Sequence, residues 1–229
     1  MRLKIADGVY MLLYPGLVSP HDAVSLLVDG GSKLLLIDSG SGIPASTTTL
    51  FNGIIEVGRD PVKLEWLFNT HAHIHNIGGN RFLREVLHVK IAAHTPDSRL
   101  IESGDPVKTG ARDLGLTLKP VPVSMHVDGN GEVNVGELNV ELIHTPGHTP
   151  GSMSIAFEKG GVKVLAVGDA LGSLSRAWGS SEDEWWSSIG RIKEERPDVL
   201  CTSIKCYMGE AAREYIRSVE REGPIWVGE

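Results

Sequence analysis

Three pairs of apolar runs, each joined by a short turn, predict β-hairpins along this chain. The first pair is AVSLLVDGGSKLLLIDSG, where Asp29, Gly30 and Gly31 separate two apolar runs. The others, GEVNVGELNVELIHTPGH and GSMSIAFEKGGVKVLAVGDA, lie in the second half of the chain. Glycine and aspartate between apolar runs are typical of tight turns, because both tolerate the backbone angles that such turns need. The sequence is therefore predicted to contain many short strands.

Apolar residues spaced three to four positions apart predict helices between these strand groups. The segments with this spacing are 44–57, 78–88, 95–103, 107–114, 182–195 and 209–221. In each half of the chain a strand-rich part precedes a helical part. Strands that are almost continuously apolar need cover on both faces. This order therefore predicts two sheets with helices on their outer faces.

Composition narrows the class of protein and its partners. The chain has 229 residues, of which 41% are hydrophobic and 22% charged, and this fits one globular domain spanning residues 1–229. A net charge of -7 argues against nucleic acid or an anionic membrane as the main partner. The N-terminus resembles neither a signal peptide nor a membrane span. With only two cysteines, Cys201 and Cys206, the chain is expected to be cytoplasmic.

The stretch FNTHAHIHNIGG, residues 68–79, places His71, His73 and His75 at alternating positions. Alternate side chains of an extended segment point to one face, so the three imidazoles converge if this stretch is extended. Histidine is the commonest protein metal ligand. The stretch follows the apolar run KLEWLF and so lies at the C-terminal end of a predicted strand. The spacing alone fits either a metal site or a solvated polar turn.

Further polar groups also follow apolar runs. His144 and His148 lie in IHTPGHTPGS, Asp169 in LAVGDALG and Asp38 in LLLIDSGSG. Each group stands where a predicted strand gives way to a glycine-rich loop. Ligands commonly bind at such strand ends in α/β architectures. We therefore expect these groups and the histidine stretch to meet in one cleft.

Together these segments resemble the metallo-β-lactamase superfamily of hydrolases. That family has an Asp-x-Gly turn, then Thr-His-x-His-x-Asp-His-x-x-Gly, Pro-Gly-His-Thr, Gly-Asp and a late Gly-His. The counterparts here are IDSG, THAHIHNIGG, TPGHTPGS and VGDALG in the same order, with LCTSIKCYMG near the late position. The resemblance implies a four-layer αββα sandwich of the α+β class. It also implies a small-molecule substrate that a metal-activated water hydrolyses.

The resemblance implies that the first metal site of the family is intact. Four residues match its metal-binding positions: His71, His73, His148 and Asp169. Asp169 matches the aspartate that bridges two metals in the family. Asp38 resembles the turn aspartate that supports the histidine loop, and His144 lies outside the ligand set, where a structural role is expected.

The second metal site departs from the family pattern. His75 and Asn76 replace the Asp-His pair, and no histidine follows His148 to supply the late ligand, whose place falls near Ile204. Asparagine is a poor ligand beside imidazole, and isoleucine is none. The chain is therefore expected to hold one principal metal, zinc, with His75 and Asn76 as remnants of a second site.

Two replacements for the missing ligands stay open at this point. The imidazole of His75 could replace the aspartate, and the thiolate of Cys201 or Cys206 could replace the late histidine. Trp178, in LSRAWGSS, lies where the family often builds the rim of its pocket, so it is a candidate substrate contact.

The leading hypothesis is a metal-dependent hydrolase of an ester, thioester, lactone or phosphoester. Three neutral imidazoles leave an open position, where a bound water can lose its proton near pH 7. Asp169 is expected to ligate the metal or hold the water, and His75 to act as general base. One alternative resembles the persulfide dioxygenases, with mononuclear iron on His71, His148 and Asp169. The other is a degenerate family member that binds a ligand without catalysis.

Overall fold

The first half of the chain forms a seven-stranded mixed sheet whose strands lie in sequence order. The computed structural model describes residues 2–228. The strands are β1 (Leu3–Ala6), β2 (Val9–Leu13), β3 (Ser25–Asp29), β4 (Leu34–Ile37), β5 (Leu64–Phe68), β6 (Lys90–His94) and β7 (Met125–Val127). Strands β1 to β4 pair antiparallel, whereas β4 to β7 pair parallel. The parallel strands end at a common edge, where the Asp38 and histidine segments begin.

The second half forms a six-stranded sheet with the order β13-β12-β11-β10-β9-β8. Its strands are β8 (Gly131–Val135), β9 (Leu138–His144), β10 (Met153–Lys159), β11 (Val162–Gly168), β12 (Val199–Thr202) and β13 (Cys206–Met208). Neighbours pair antiparallel except β11 and β12, which are parallel. The loop after β9 carries His148, and Asp169 follows β11 directly.

Helices cover the outer face of each sheet. They are α1 (Pro44–Glu56), α2 (Ile74–Ile77), α3 (Asn80–Leu87), α4 (Thr95–Ser103), α5 (Glu182–Glu194) and α6 (Glu210–Glu222), with 3₁₀ turns at Pro61–Lys63 and Arg176–Trp178. Among residues 2–228, no helix is long and apolar enough to cross a membrane.

Successive side chains of each strand point to opposite faces of its sheet, and this divides the buried side chains into three layers. Leu35 and Phe68 of the first sheet pack with Leu142 and Phe157 of the second in the core between the sheets. Their neighbours point outward: Leu36 packs against Leu50 of α1 and Ile101 of α4. Leu165 packs against Trp185 of α5 and Ile216 of α6. The result is the four-layer αββα sandwich, so the predicted fold class is confirmed.

All three predicted hairpins are present, as β3–β4, β8–β9 and β10–β11. Five of the six predicted helices form, with ends within two residues of the predicted ones. The prediction of a helix over 107–114 is wrong, because this segment consists of turns. Asp105 caps the segment through the amides of Val107 and Lys108, but Gly110 then adopts a positive φ of 67° that stops a helix.

Two glycines let the loop after β4 pass directly against the segment that follows α2. A Cβ at Gly78 would lie 2.1 Å from the carbonyl oxygen of Ser41, and one at Gly42 would lie 2.2 Å from that of Gly78. The amide of Ser39 donates to the carbonyl of Asn76 at 2.6 Å in the same region. This close approach fixes the histidine segment against the end of β4.

Gly78→Ala should therefore lower the free energy of unfolding by roughly 1–3 kcal/mol, because backbone must move to admit the methyl group. Urea denaturation measures this change. Gly190→Ala is the matched control, since Gly190 is exposed within α5 and a Cβ there meets nothing within 4 Å. That control should be stabilising by up to about 1 kcal/mol, as alanine favours helix. Equal stability of the two variants would contradict the tight contact.

Candidate metal centre

Four predicted ligands meet at the edge where the loops of both sheets come together. One nitrogen or oxygen from each of His71, His73, His148 and Asp169 lies within 4.8 Å of all the others. His73 Nδ1 is 3.1 Å from His71 Nε2 and 2.9 Å from His148 Nε2. Asp169 Oδ2 is 3.5 Å from His71 Nε2 and 3.8 Å from His148 Nε2. The three histidines are almost fully buried.

The spacing of these atoms fits a tetrahedral metal ion. Ligand atoms about 2.0–2.1 Å from a zinc ion at tetrahedral corners lie about 3.3 Å from each other. The four distances given above, 2.9 to 3.8 Å, lie on both sides of that value. Imidazole nitrogen and carboxylate oxygen are also donors that zinc accepts. The residues present therefore fit a metal ion of this type.

Hydrogen bonds on the far sides of the rings direct the lone pairs inward. Thr70 donates its hydroxyl proton to Asp38 Oδ2 at 2.7 Å, so its oxygen accepts from Nδ1 of His71 at 3.1 Å. Nδ1 of His148 donates to the carbonyl of Ser173 at 2.5 Å. In both rings the proton is therefore on Nδ1, and the free lone pair on Nε2 faces the cluster.

His73 turns its Nδ1 to the cluster, and Trp178 packs beside it. The centroid of the nearer Trp178 ring lies 4.6 Å from that of His73 and 5.1 Å from that of His148. Nε2 of His73 is buried and has no hydrogen-bond partner in the described part of the chain. The tryptophan, predicted as a substrate contact, thus forms one wall of the cleft directly against two candidate ligands.

Burial sets the charge of the cluster. It lowers the pKa of His71, His73 and His148, so these imidazoles are neutral at neutral pH and can donate lone pairs. Burial alone would raise the pKa of Asp169, but the hydrogen bond from His75 and the electrostatic interaction with the surrounding imidazole rings outweigh it. The pKa of Asp169 is held well below its ordinary value, and the group is a carboxylate.

Asp38 braces the histidine loop, as the resemblance implied. Its two carboxylate oxygens accept from the amide of Thr70 at 2.9 Å, the hydroxyl of Thr70 and Nδ2 of Asn76 at 2.7 Å. The residue has a positive φ of 57°, a region that non-glycine residues rarely occupy. Burial raises the pKa of Asp38 to about 7, against the effect of these hydrogen bonds.

A second buried carboxylate, Asp97, joins the two loops that carry the histidines. It accepts from the amide of Ala72 at 2.7 Å, the hydroxyl of Thr149 at 2.8 Å and the amide of Gly151 at 2.9 Å. Ala72 lies between two candidate ligands, and Thr149 follows His148. Burial raises the pKa of Asp97 to about 6. The sequence analysis missed this residue, because an aspartate in the first turn of a helix is usually explained by the helix dipole.

His75 reaches the cluster in a different way from the one predicted. The expectation of one extended segment is wrong beyond His73, because the single helical turn α2 begins at Ile74. His75 Nε2 nevertheless lies 2.9 Å from Asp169 Oδ2, and the side chain is partly exposed to the cleft. His75 therefore contacts the carboxylate from the solvent side of the cluster.

Asn76 is held by other side chains around the site. Its Nδ2 donates to Asp38 at 2.7 Å and to Ser203 Oγ at 3.1 Å, and the residue is fully buried. The late family position was expected near Ile204, but Ile204 is 63% exposed and Ser203 faces Asn76 instead. Asn76 and Ser203 thus bond to each other at the place where the resemblance implies two metal-binding histidines.

The cysteines do not replace the late ligand. Cys201 and Cys206 lie opposite each other on β12 and β13 and form a disulfide. Because both sulfurs are bonded, the hypothesis of a thiolate ligand is wrong for this structure. His144 also lies outside the cluster. It stacks on His94 at 3.7 Å between ring centroids, and its Nε2 donates to the carbonyl of Pro150.

Comparisons with known proteins agree with the fold and the site. Residues 18–203 match the family model described as "Metallo-beta-lactamase superfamily". A "Probable metallo-hydrolase YqgX" of Bacillus subtilis is 33% identical over 155 residues, which cover 67% of this chain and 68% of that protein. A "Hydroxyacylglutathione hydrolase" of Maricaulis maris is 25% identical over 162 residues, 69% of this chain and 55% of that protein.

Among solved structures, a metallo-β-lactamase of Cronobacter sakazakii described by its HARLDQ motif superposes with a TM-score of 0.79. The match covers 97% of this chain and 95% of that chain at 18% sequence identity, which supports the fold alone. The family model, by contrast, spans most of the chain and includes every candidate ligand. This chain therefore belongs to the metallo-β-lactamase superfamily and is a metal-dependent hydrolase.

Proposed function

We propose that the enzyme hydrolyses an ester, thioester, lactone or phosphoester of a small molecule at a centre with one principal metal, zinc. His71, His73 and His148 would hold the ion, with Asp169 beside them. The observation that carries this proposal is the convergence of three neutral, buried imidazole nitrogens whose other ring nitrogens all face away. Such an arrangement leaves Nε2 of His73 buried without a hydrogen-bond partner among residues 2–228, a cost that a purely structural role does not explain.

Asp169 and His75 would orient the water and transfer protons at this centre. When bound, a zinc ion would supply a hydroxide nucleophile near pH 7 and polarise the oxygen on the carbon or phosphorus under attack. Asp169, a carboxylate that also accepts from His75, can orient a water molecule by hydrogen bond or ligate the ion. His75 is partly exposed to the cleft and keeps its second ring nitrogen for a proton, which suits a general base or acid.

His73 argues for the hydrolase over the iron alternative. A facial triad of His71, His148 and Asp169 would leave His73 unused. Yet His73 Nδ1 lies about as close to the other two imidazole nitrogens as ligands of a common ion do. The geometry thus favours a three-histidine centre of the zinc type.

The relatives leave the substrate open within these classes. The name of the Maricaulis maris relative points to a glutathione thioester, but this chain spans about half the length of that protein. A thioester is therefore one of four candidate bonds. The match covers 55% of that relative, and the rest of it has no counterpart in the match.

Purified protein should contain about one metal atom per chain by elemental analysis. His148→Ala should lose the metal, because it removes one of three imidazoles, while circular dichroism should show the fold retained. His144→Asn is the control, since this histidine ends β9 just before the loop that carries His148 and lies outside the cluster, and it should keep the metal. Two metals per chain in the natural protein would contradict the proposal, as would equal metal loss in both variants.

Restoring the second site should require position 203. The variant His75→Asp, Asn76→His, Ser203→His should bind more metal than the natural protein, because it restores one carboxylate and two imidazoles near Asp169. The same double variant with Ile204→His should gain less, since Ile204 points to solvent. Isothermal titration with zinc on variants that remain folded measures the difference. If both triple variants bind alike, Ser203 does not occupy the late position.

Zinc-loaded protein should hydrolyse a generic ester under strictly anaerobic conditions, at a rate that rises with pH through an apparent value near ~7. Asp169→Asn should lower that rate, and His144→Asn should affect it much less. Iron-loaded protein should consume no oxygen with glutathione persulfide in an oxygen-electrode assay. Thiol-dependent oxygen uptake that His148→Ala abolishes would replace the hydrolase proposal with the dioxygenase alternative.

A further inference from the structure

Two pockets adjoin the candidate centre and share part of their lining. The tryptophan pocket, of about 230 Å³, is lined by Thr109, Gly110, Asp113, Ser173 and Trp178. The proline pocket, of about 250 Å³, is lined by Pro15, Pro20, His21, Ser203 and Ile204. His75, Leu114 and Asp169 line both pockets. The cleft therefore has two arms of similar size that meet beside the metal centre.

The shape of the cleft limits the substrate. A scissile bond placed at the junction would have one substituent in each pocket, because both pockets adjoin the centre there. Much of the wall surface is apolar side chain: Leu114 at the junction, Trp178 in one pocket, and Pro15, Pro20 and Ile204 in the other. Pockets of this kind bind apolar groups and use a few polar atoms for orientation. The two substituents are therefore apolar and of comparable bulk.

The charges around the cleft exclude an anionic substituent. Within residues 2–228, no lysine or arginine lines either pocket. Lys205, next to Ile204 in sequence, holds its ammonium 4.7 Å above the Tyr207 ring. Arg112 is paired with Asp113 at 3.6 Å, and both side chains are mostly exposed. A phosphate or carboxylate entering a pocket would lose hydration without gaining a cation.

The acidic groups near the cleft do not select a cation either. Asp22 borders the proline pocket, but its carboxylate is buried and accepts from Ser41 and Ser46 at 2.6 to 3.0 Å. Asp169 belongs to the centre itself. With Asp113 paired, each pocket is close to neutral. An uncharged substituent is thus the best match for both arms.

Building on the proposed function, we propose that the substrate is an uncharged ester or thioester with an apolar group on each side of the scissile bond. Water adds its oxygen to the carbonyl carbon, and the bond from that carbon to the leaving oxygen or sulfur breaks. The leaving alcohol or thiol takes up one proton of the water, and the other proton is released. The second product is a carboxylate.

Two p-nitrophenyl esters test this inference on zinc-loaded protein. The butyrate is uncharged, and the hemisuccinate has an acyl chain of the same length that ends in a carboxylate. We expect kcat/KM for the butyrate to exceed that for the hemisuccinate by at least tenfold. Leu114→Arg should narrow this ratio, because it places a cation at the junction of both pockets. Val62→Arg adds the same charge at a residue that is 80% exposed and lines neither pocket, and it should leave the ratio unchanged.

The outcomes separate this inference from the proposed function. Equal or faster hydrolysis of the hemisuccinate by the natural protein would overturn the uncharged substrate and leave the hydrolase intact. So would a ratio that changes no more in Leu114→Arg than in Val62→Arg. If zinc-loaded protein cleaves neither ester, or if His148→Ala cleaves both at the same rates as the natural protein, the proposed function itself fails.

Discussion

Nε2 of His71 and of His148 lie 3.1 and 2.9 Å from Nδ1 of His73, and bonds elsewhere in the protein hold these three buried rings in place. Asp38 does so for the loop after β5 through Thr70, and Asp97 ties that loop to the one that carries His148. Both carboxylates are buried, and burial raises the pKa of each, so their hydrogen bonds are made in a place that disfavours charge. The energy that assembles the centre therefore comes from the surrounding polar network and from the two sheets that support it.

Much of the fold could be predicted because apolar spacing reflects burial directly. The hairpins followed from short turns between apolar runs, and five helices from three-to-four spacing. The segment 107–114 failed because its apolar spacing is helical while Gly110 adopts a conformation that ends a helix. The helical turn α2 was missed for the opposite reason, since its four residues are too few to show a period.

The candidate metal ligands could be predicted from the sequence, whereas the residues that hold them in place were much harder to predict. Sequence motifs name residues that chemistry constrains, such as His71 and Asp169. They do not show which hydrogen bonds a residue forms when it replaces a metal ligand. Asn76 was correctly identified as a departure from the family, but only the structure reveals that it bonds Asp38 and Ser203. The role of Asp97 depends on its contacts with Ala72 and Gly151, which lie 25 and 54 positions away in the chain. A single sequence does not indicate such contacts.

The Asp97 brace has a consequence for how such a site can change over evolutionary time. It acts through two backbone amides and one threonine hydroxyl, and it involves none of the residues at 75, 76 or 203. Substitutions at those three positions therefore leave the two histidine loops joined. A protein with this brace can therefore lose metal ligands, acquire others and change its reaction by single substitutions, while the two histidine loops stay joined.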